Sequence, residues 1–320
     1  MPIEILLLLA LPASGKSELR RYLESLDAET ARRDLGLGPT VQLDDYPYVH
    51  IMRRIGEETR AAGDEPLFFA SSDEPFLDPR DWDTLIYLLN FDYADLHDPP
   101  QPPTGGTAAT WLFDRIDRAR SKAGLPRALT ALAPLTRKRL ETALESEAQA
   151  VFAEKTAAIP KSLDSKTVVI EFARGGPEGS ALPLPEPYGY EHALPLLSRE
   201  ILQKARILYV WVEPEESRRK NAARAIPGRE GDASILHHGV PETVMRNEYG
   251  IDDLMWLLAA SGGSVVAVTK DDEHFALPTG VFDNRTDLTS FLRGDPDGWS
   301  LFRVRRLHQE LVNSTAGFRV

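Results

Sequence analysis

Residues Ile3 to Arg20 read IEILLLLALPASGKSELR. An apolar run of strand length feeds a short loop ending Gly15-Lys16-Ser17, and a charged, helix-forming segment follows. Strand, tight loop and helix start, in that order, are the context in which backbone N–H groups converge on phosphate oxygens. The spacing fits G-x-x-x-x-G-K-[ST] except that Ala10 stands where the first Gly belongs. A β-carbon is tolerable there if φ is negative. Pro12, Ala13, Ser14 and Gly15 would then shape the cradle. Lys16 would reach the β/γ-phosphates and the Ser17 hydroxyl would hold Mg²⁺. ATP or another nucleoside triphosphate, with Mg²⁺, is the expected cofactor. The competing reading is a secretory signal, but the residues before the apolar run carry Glu4 and no Lys or Arg.

Composition narrows the class. The 320 residues suffice for one large domain with a real core, and 42% hydrophobic with 27% charged residues is ordinary for a globular protein. No apolar run approaches the roughly 20 residues of a membrane helix, so no membrane partner is expected. Cysteine is absent, which excludes disulfides, thiolate nucleophiles and Cys-ligated zinc; a reducing cytoplasm fits. The net charge of −12 disfavours broad, non-specific nucleic-acid binding.

Further strands are expected at 38–44, 166–171, 206–212 and 263–269, each a short apolar run. The unbroken apolar pattern of Arg206 to Val212 is that of a strand covered on both faces. Helices are expected at Tyr46 to Ala62, Asp81 to Asn90, Thr110 to Ala123, Leu135 to Ala158 and Glu215 to Ala225. The Pro-rich stretch from Asp98 to Gly106 reads as a loop or tether. Strands alternating with helices imply an α/β fold with a mostly parallel, helix-flanked sheet. The region from about 63 to 160 reads as a helical insertion within one domain spanning 1–295. Residues 296–320 read as a docked tail, with Arg303, Arg305 and Arg306 flanking apolar Leu301, Phe302 and Val304.

Ligands of parallel sheets gather beyond the strand C-termini. Asp44-Asp45 follows the second strand, Glu171 to Gly176 the third, and Arg218, Arg219, Lys220, Arg224 and Arg229 follow the fourth. Phosphoryl transfer to an alcohol needs a base for the hydroxyl, Mg²⁺ and cations for the transferring group. Asp44 or Asp45 is placed to be that base; period-two alternation puts them on opposite faces, so only one can readily serve. Glu171 could bind Mg²⁺ through water, and Arg174 could clamp an anionic group on the acceptor. Acids after strands also cap helices, and cations on helices usually face water. His237-His238 reads as loop rather than metal site, because adjacent histidines diverge and no third ligand is evident. Gly228 to Gly250 reads as a loop that could close over substrate.

Ala10 to Ser17 together with Leu43-Asp44-Asp45-Tyr46 resembles the P-loop kinase superfamily. The local match is closest to the branch holding phage-type polynucleotide 5′-kinases, zeta-toxin-like kinases and small-molecule kinases. The resemblance implies a three-layer fold on a mostly parallel five-stranded sheet. In polynucleotide 5′-kinases the first Asp of an Asp-Asp-Tyr-Arg segment is the general base, a role that falls on Asp44. Pro47 replaces the Arg of that motif, which turns the expectation away from a polynucleotide acceptor. Glu171 to Arg174 is similar to the Glu-Arg of deoxynucleoside kinases, with two residues between. Arg218, Arg219 and Arg224 fall where the superfamily carries an Arg-bearing lid helix, within a lid of about 214–250. Phe282-Asp283-Asn284 resembles the segment after the fifth strand, which implies that Asn284 lies near the base.

The expected activity is phosphotransfer from ATP to a hydroxyl of a small molecule: a nucleoside, sugar or nucleotide-like acceptor. A nucleic-acid 5′-hydroxyl is the second reading, and a regulatory ATPase switch the third. The sequence leaves oligomeric state open.

Overall fold

The structure, a computed structural model, describes residues 2–101, 106–224 and 239–318. Its contacts divide the chain into two units, Met1–Gln42 with Leu163–Val320, and Leu43–Ser162. No helix among the described residues is long and apolar enough to cross a membrane.

The first unit begins with β1 (Ile5–Leu9), every residue of which is buried, and α1 (Lys16–Ser25). Helix α1 buries Leu19, Tyr22 and Leu23, a three- and four-residue spacing that presents one apolar stripe to the sheet. A single turn, α2 (Ala28–Thr30), runs into a π-helical turn at Ala31–Leu35, which ends on left-handed Gly36 (φ 73). Strand β2 (Thr40–Asp44) then leads out of this unit.

The second unit is helical: α3 (Tyr46–Ala61), α4 (Asp81–Asp95), α5 (Ala108–Lys122) and α6 (Pro134–Ala158). It takes in α3 as well as the stretch from 63 to 160. Each helix contributes to one buried polar knot. The Tyr48 hydroxyl donates to Asp92 Oδ1 at 2.6 Å and accepts from Arg115 Nε at 3.0 Å. Arg115 Nη2 reaches Asp92 at 2.8 Å and Asp95 at 2.7 Å, and Lys155 Nζ reaches Asp92 Oδ2 at 2.7 Å. Burial lowers the proton affinity of the Lys155 ammonium, but Asp92, then Tyr48 and Asp44, raise it above its ordinary value. Each charge in the knot has a partner, which is the condition for keeping ions out of water.

The chain returns through β3 (Thr167–Phe172), α7 (Gly189–Ala193), α8 (Arg199–Lys204), β4 (Ala205–Trp211) and α9 (Pro214–Arg224). After the undescribed residues 225–238 come α10 (Glu242–Asn247) and α11 (Leu254–Ala260). Helix α10 corrects part of the expected loop over Gly228 to Gly250. Strands β5 (Val265–Lys270) and β6 (Glu273–Asp283) follow, then α12 (Leu301–Thr315). Arg229, His237 and His238 lie outside the described residues.

The sheet has six strands, not five, in the order β2-β3-β1-β4-β6-β5. Strand β1 pairs parallel to β3 and β4, and β4 parallel to β6. The strand expected last, at 263–269, is instead the antiparallel edge partner of β6. Asp271 and Asp272, at φ 48 and 63, form the two-residue reversal between them. Strand β6 is hard to see in sequence because it starts on polar Glu273-His274 and contains Pro278 and Gly280.

Leu6, Leu8, Val169, Leu208, Val210 and Phe282 of the sheet pack with Leu19 and Leu23 of α1 in one cluster, together with Leu307 and Leu311 of α12. The tail thus anchors through Leu307 and Leu311, while Leu301 and Phe302 remain 74% and 76% exposed. Gly280 allows this contact: a Cβ there would lie 1.8 Å from the Ser314 carbonyl oxygen.

Candidate functional site

In the strand order, β3 lies on one side of β1 and β4 on the other. The chain therefore changes direction at β1, and the crevice beyond its C-terminus is the switch point where open α/β sheets bind ligands. Residues 10–15 fill that position, turning sharply between β1 and α1. The left-handed residues of the turn are Ala13 (φ 54) and Gly15 (φ 106); Ala10 is not among the residues with positive φ. Gly15 is fixed by space as well as by φ, since a Cβ would meet Thr289 Oγ1 at 2.3 Å and Asn284 Nδ2 at 2.7 Å.

Side chains from four places hold the carbonyls of this turn. Lys16 Nζ donates to Ala10 O and Leu11 O, both at 3.2 Å. The Tyr190 hydroxyl donates to Ala10 O at 3.1 Å, and Ser217 Oγ to Pro12 O at 2.6 Å. The Asn284 amide donates to Ser14 O and, at 2.9 Å, to Thr289 Oγ1. With its carbonyls turned into the protein, the loop presents its N–H groups elsewhere. Those of Ala13, Ser14, Gly15 and Ser17 meet no acceptor among the described residues, and α1 has no side-chain N-cap. Ser14 Oγ is fully buried and also lacks a partner. Buried donors without acceptors cost free energy, roughly 1–3 kcal/mol each, and an anion in the turn would satisfy several at once.

A second polar layer adjoins the turn. The Tyr209 hydroxyl, at the end of β4, reaches both carboxylate oxygens of Asp252, at 2.8 and 3.0 Å. Asp252 Oδ1 also accepts the Leu254 N–H at 3.0 Å. Asp253 caps α7, accepting from Tyr190 N at 2.6 Å and Glu191 N at 3.0 Å. Burial pushes the Asp252 carboxyl up to about 6, against the pull of Tyr209 and Lys16. Burial, and then the Asp252 charge, raise both tyrosine hydroxyls well above their ordinary range.

The structure places the other expected residues as follows. Glu171, next to last in β3, is buried and paired with Arg20 at 3.0 Å. Arg174 is buried, with its guanidinium 5.3 Å from the Phe172 ring centre. On α9, Arg218 pairs with Glu178 at 3.2 Å and keeps a buried Nη1 without a partner. Arg219 is 62% exposed and spent on Glu216 at 2.6 Å. Lys220 is buried on Asp287 at 3.1 Å and on Asn284 O at 3.3 Å. Arg224 ends α9, and its side chain lies outside the described part. Asn284 is 0% exposed, and its side chain is committed to Ser14, Thr289 and Leu288 N–H. In the second unit, Asp44 Oδ1 accepts the Tyr46 N–H at 3.2 Å, and Asp45 is the N-terminal flank of α3 without a side-chain cap. No group of three or more acids and histidines among the described residues could by itself hold a metal ion.

Sequence reasoning missed Tyr190, Tyr209, Ser217, Asp252 and Asp253. The available signal was a second Asp-Asp pair immediately before an apolar helix, GIDDLMWLL.

No protein-family model matches the chain, and no curated protein matches it in a sequence search.

Proposed function

We propose that the chain is a P-loop kinase-like phosphotransferase that moves a phosphoryl group from a nucleoside triphosphate to a hydroxyl of a small molecule. One observation carries this reading: carbonyls of the turn at 10–15 are held by Lys16, Tyr190, Ser217 and Asn284, while the N–H groups of Ala13, Ser14 and Gly15, that of Ser17 at the start of α1, and the Ser14 hydroxyl meet no acceptor among the described residues. That donor set fits a polyphosphate, and Ser17 at the start of α1 supplies the hydroxyl that a phosphate-bound Mg²⁺ needs.

When bound, ATP with Mg²⁺ supplies the transferable phosphoryl group. The chain's own part is to bind and to position. The N–H groups of the turn would take phosphate oxygens, and the Lys16 ammonium, whose hydrogen bonds to Ala10 O and Leu11 O are described above, would reach a phosphate oxygen in a charge-assisted hydrogen bond. Arg218, with an uncommitted Nη1, is the cation of α9 available to a phosphate. Asp44 is proposed as the acceptor-side base, with Asp45 as the fallback; this rests on their place at the end of β2 and on the motif resemblance.

The test is binding, then transfer. ATP titrated into the full chain with Mg²⁺ should bind, and Lys16→Met should bind far more weakly. A screen of nucleosides, sugars and oligonucleotides with γ-labelled ATP should move label to a hydroxyl acceptor. Absence of ATP binding, or equal binding by Lys16→Met, would remove the phosphate-loop reading. Label appearing only in inorganic phosphate across the screen would favour an ATPase.

A further inference from the structure

Asp252 is the acid the phosphate turn has not accounted for. It is fixed in place, because both carboxylate oxygens take the Tyr209 hydroxyl and one also takes the Leu254 N–H. Tyr209 lies opposite Leu9 in the β1–β4 register, so the carboxyl stands at the strand end from which the turn departs. The groups facing it are Tyr209 from β4, Tyr190 from α7, Lys16 from α1 and Asp253 beside it ahead of α11. Among these, Lys16 is the cation, and Arg174 also acts on Tyr190. The Lys16 ammonium sits on the Ala10 and Leu11 carbonyls, and the Tyr190 hydroxyl shares the Ala10 oxygen.

This placement sets two anions against each other. A phosphate on the turn would draw Lys16 toward itself and add negative charge beside a carboxylate that cannot swing away. A carboxyl in that position answers by taking a proton. We propose that Asp252 is a positioning residue of the phosphate turn: fixed at the end of β4 where the turn departs, it takes up a proton from solvent when phosphate enters. The proposal rests on reading the turn as a triphosphate site. Its direction is fixed by linkage. Phosphate charge raises the proton affinity of Asp252 in the complex, so the complex binds more protons than the free chain, and affinity falls as pH rises through that window. In the free chain the carboxyl already titrates at about 6, so the window opens near there and extends upward.

The experiment is calorimetry of the full chain with ATP and Mg²⁺ at pH 7, in two buffers of different ionisation enthalpy. The difference in heat gives the protons exchanged. Wild type should take up a substantial fraction of about one proton per ATP bound, and affinity should weaken toward pH 8.5 by up to about tenfold per pH unit. Asp252→Asn keeps the acceptor for Tyr209 and should abolish both the uptake and the slope. Tyr209→Phe is the second variant. Without its donor, the carboxyl is protonated more readily in the free chain, so uptake at pH 7 should shrink and the window should move to higher pH. Binding with no proton uptake, or with uptake unchanged in both variants, overturns the proposal and leaves the triphosphate site standing. Failure of wild type to bind ATP overturns both.

Discussion

The side-chain amide of Asn284 donates a hydrogen bond to the backbone carbonyl of Ser14, 270 positions earlier in the chain. The same amide donates to Thr289 Oγ1, and its oxygen accepts the Leu288 N–H at 2.6 Å. An asparagine so committed has both amide hydrogens spent and one oxygen lone pair taken. Its contribution is to hold the turn by its Ser14 carbonyl.

Removing that brace should weaken phosphate binding without touching phosphate. Asn284→Ala strands Ser14 O, Leu288 N and Thr289 Oγ1 in a buried place, at a cost of about 1–3 kcal/mol. Chemical denaturation should show that loss of stability, and ATP affinity should fall alongside it. Wild-type affinity in a folded Asn284→Ala would separate the brace from the site.

Gly15→Ala should be more damaging than a glycine-to-alanine change in an ordinary turn. The new methyl meets Thr289 and Asn284 at distances no Cβ adopts, and φ of 106 is itself unfavourable for alanine. The turn must move, at a cost of about 1–3 kcal/mol of backbone strain alone. We expect a lower melting temperature and at least a tenfold loss of ATP affinity. A variant indistinguishable from wild type in both would show that the turn is not held as described.

The arginines of α9 should separate. Arg219 is exposed and spent on Glu216, so Arg219→Ala should leave turnover within about twofold, the usual scale for a surface ion pair. Arg218 has a buried nitrogen in reserve. Arg218→Ala should lower kcat while ATP affinity stays near wild type, since a cation that meets charge on the transferring group acts in the transition state. The reverse ranking of the two variants would show that the exposed guanidinium, not the sheltered one, serves the reaction.

Asp44→Asn preserves an oxygen for the Tyr46 N–H and removes the basic carboxylate. Acceptor phosphorylation should drop by roughly 10²–10⁴-fold, the share of a positioned base, and ATP should still bind. If transfer persists at full rate, Asp45 takes the role. If ATP or Mg²⁺ binding is lost, Asp44 belongs to the metal shell.

The parts of this molecule legible in sequence are those whose causes are local. Strand β1, the turn and α1 are contiguous, and their apolar run, Gly15 and helix formers each report their own conformation. The long helices from 46 to 158 appear at nearly the expected bounds for the same reason. Strand β6 was not legible, because its polar start, Pro278 and Gly280 argue against a strand, and only pairing with β4 and β5 makes it one. The α9 cations look equivalent as letters; one helical position separates sheltered Arg218 from exposed Arg219. Asp252 offered only its Asp-Asp letters before an apolar helix; what sets it apart, Tyr209 and Lys16, lies far away in the chain.

Gly280 has a mechanical consequence. Where it passes α12 the strand has no side chain, and the helix backbone rests almost directly on it at Ser314. Four residues further along the same segment sits Asn284, the brace of the turn. Strand β6 therefore works like a splint, backed by α12 at Gly280 and Val281 and joined to the turn at 10–15 through Asn284 just beyond its end. Lifting the helix by a bulkier residue at 280 would be felt at Ser14 through Asn284, whereas truncation before Leu307 would also take Leu307 and Leu311 out of the core.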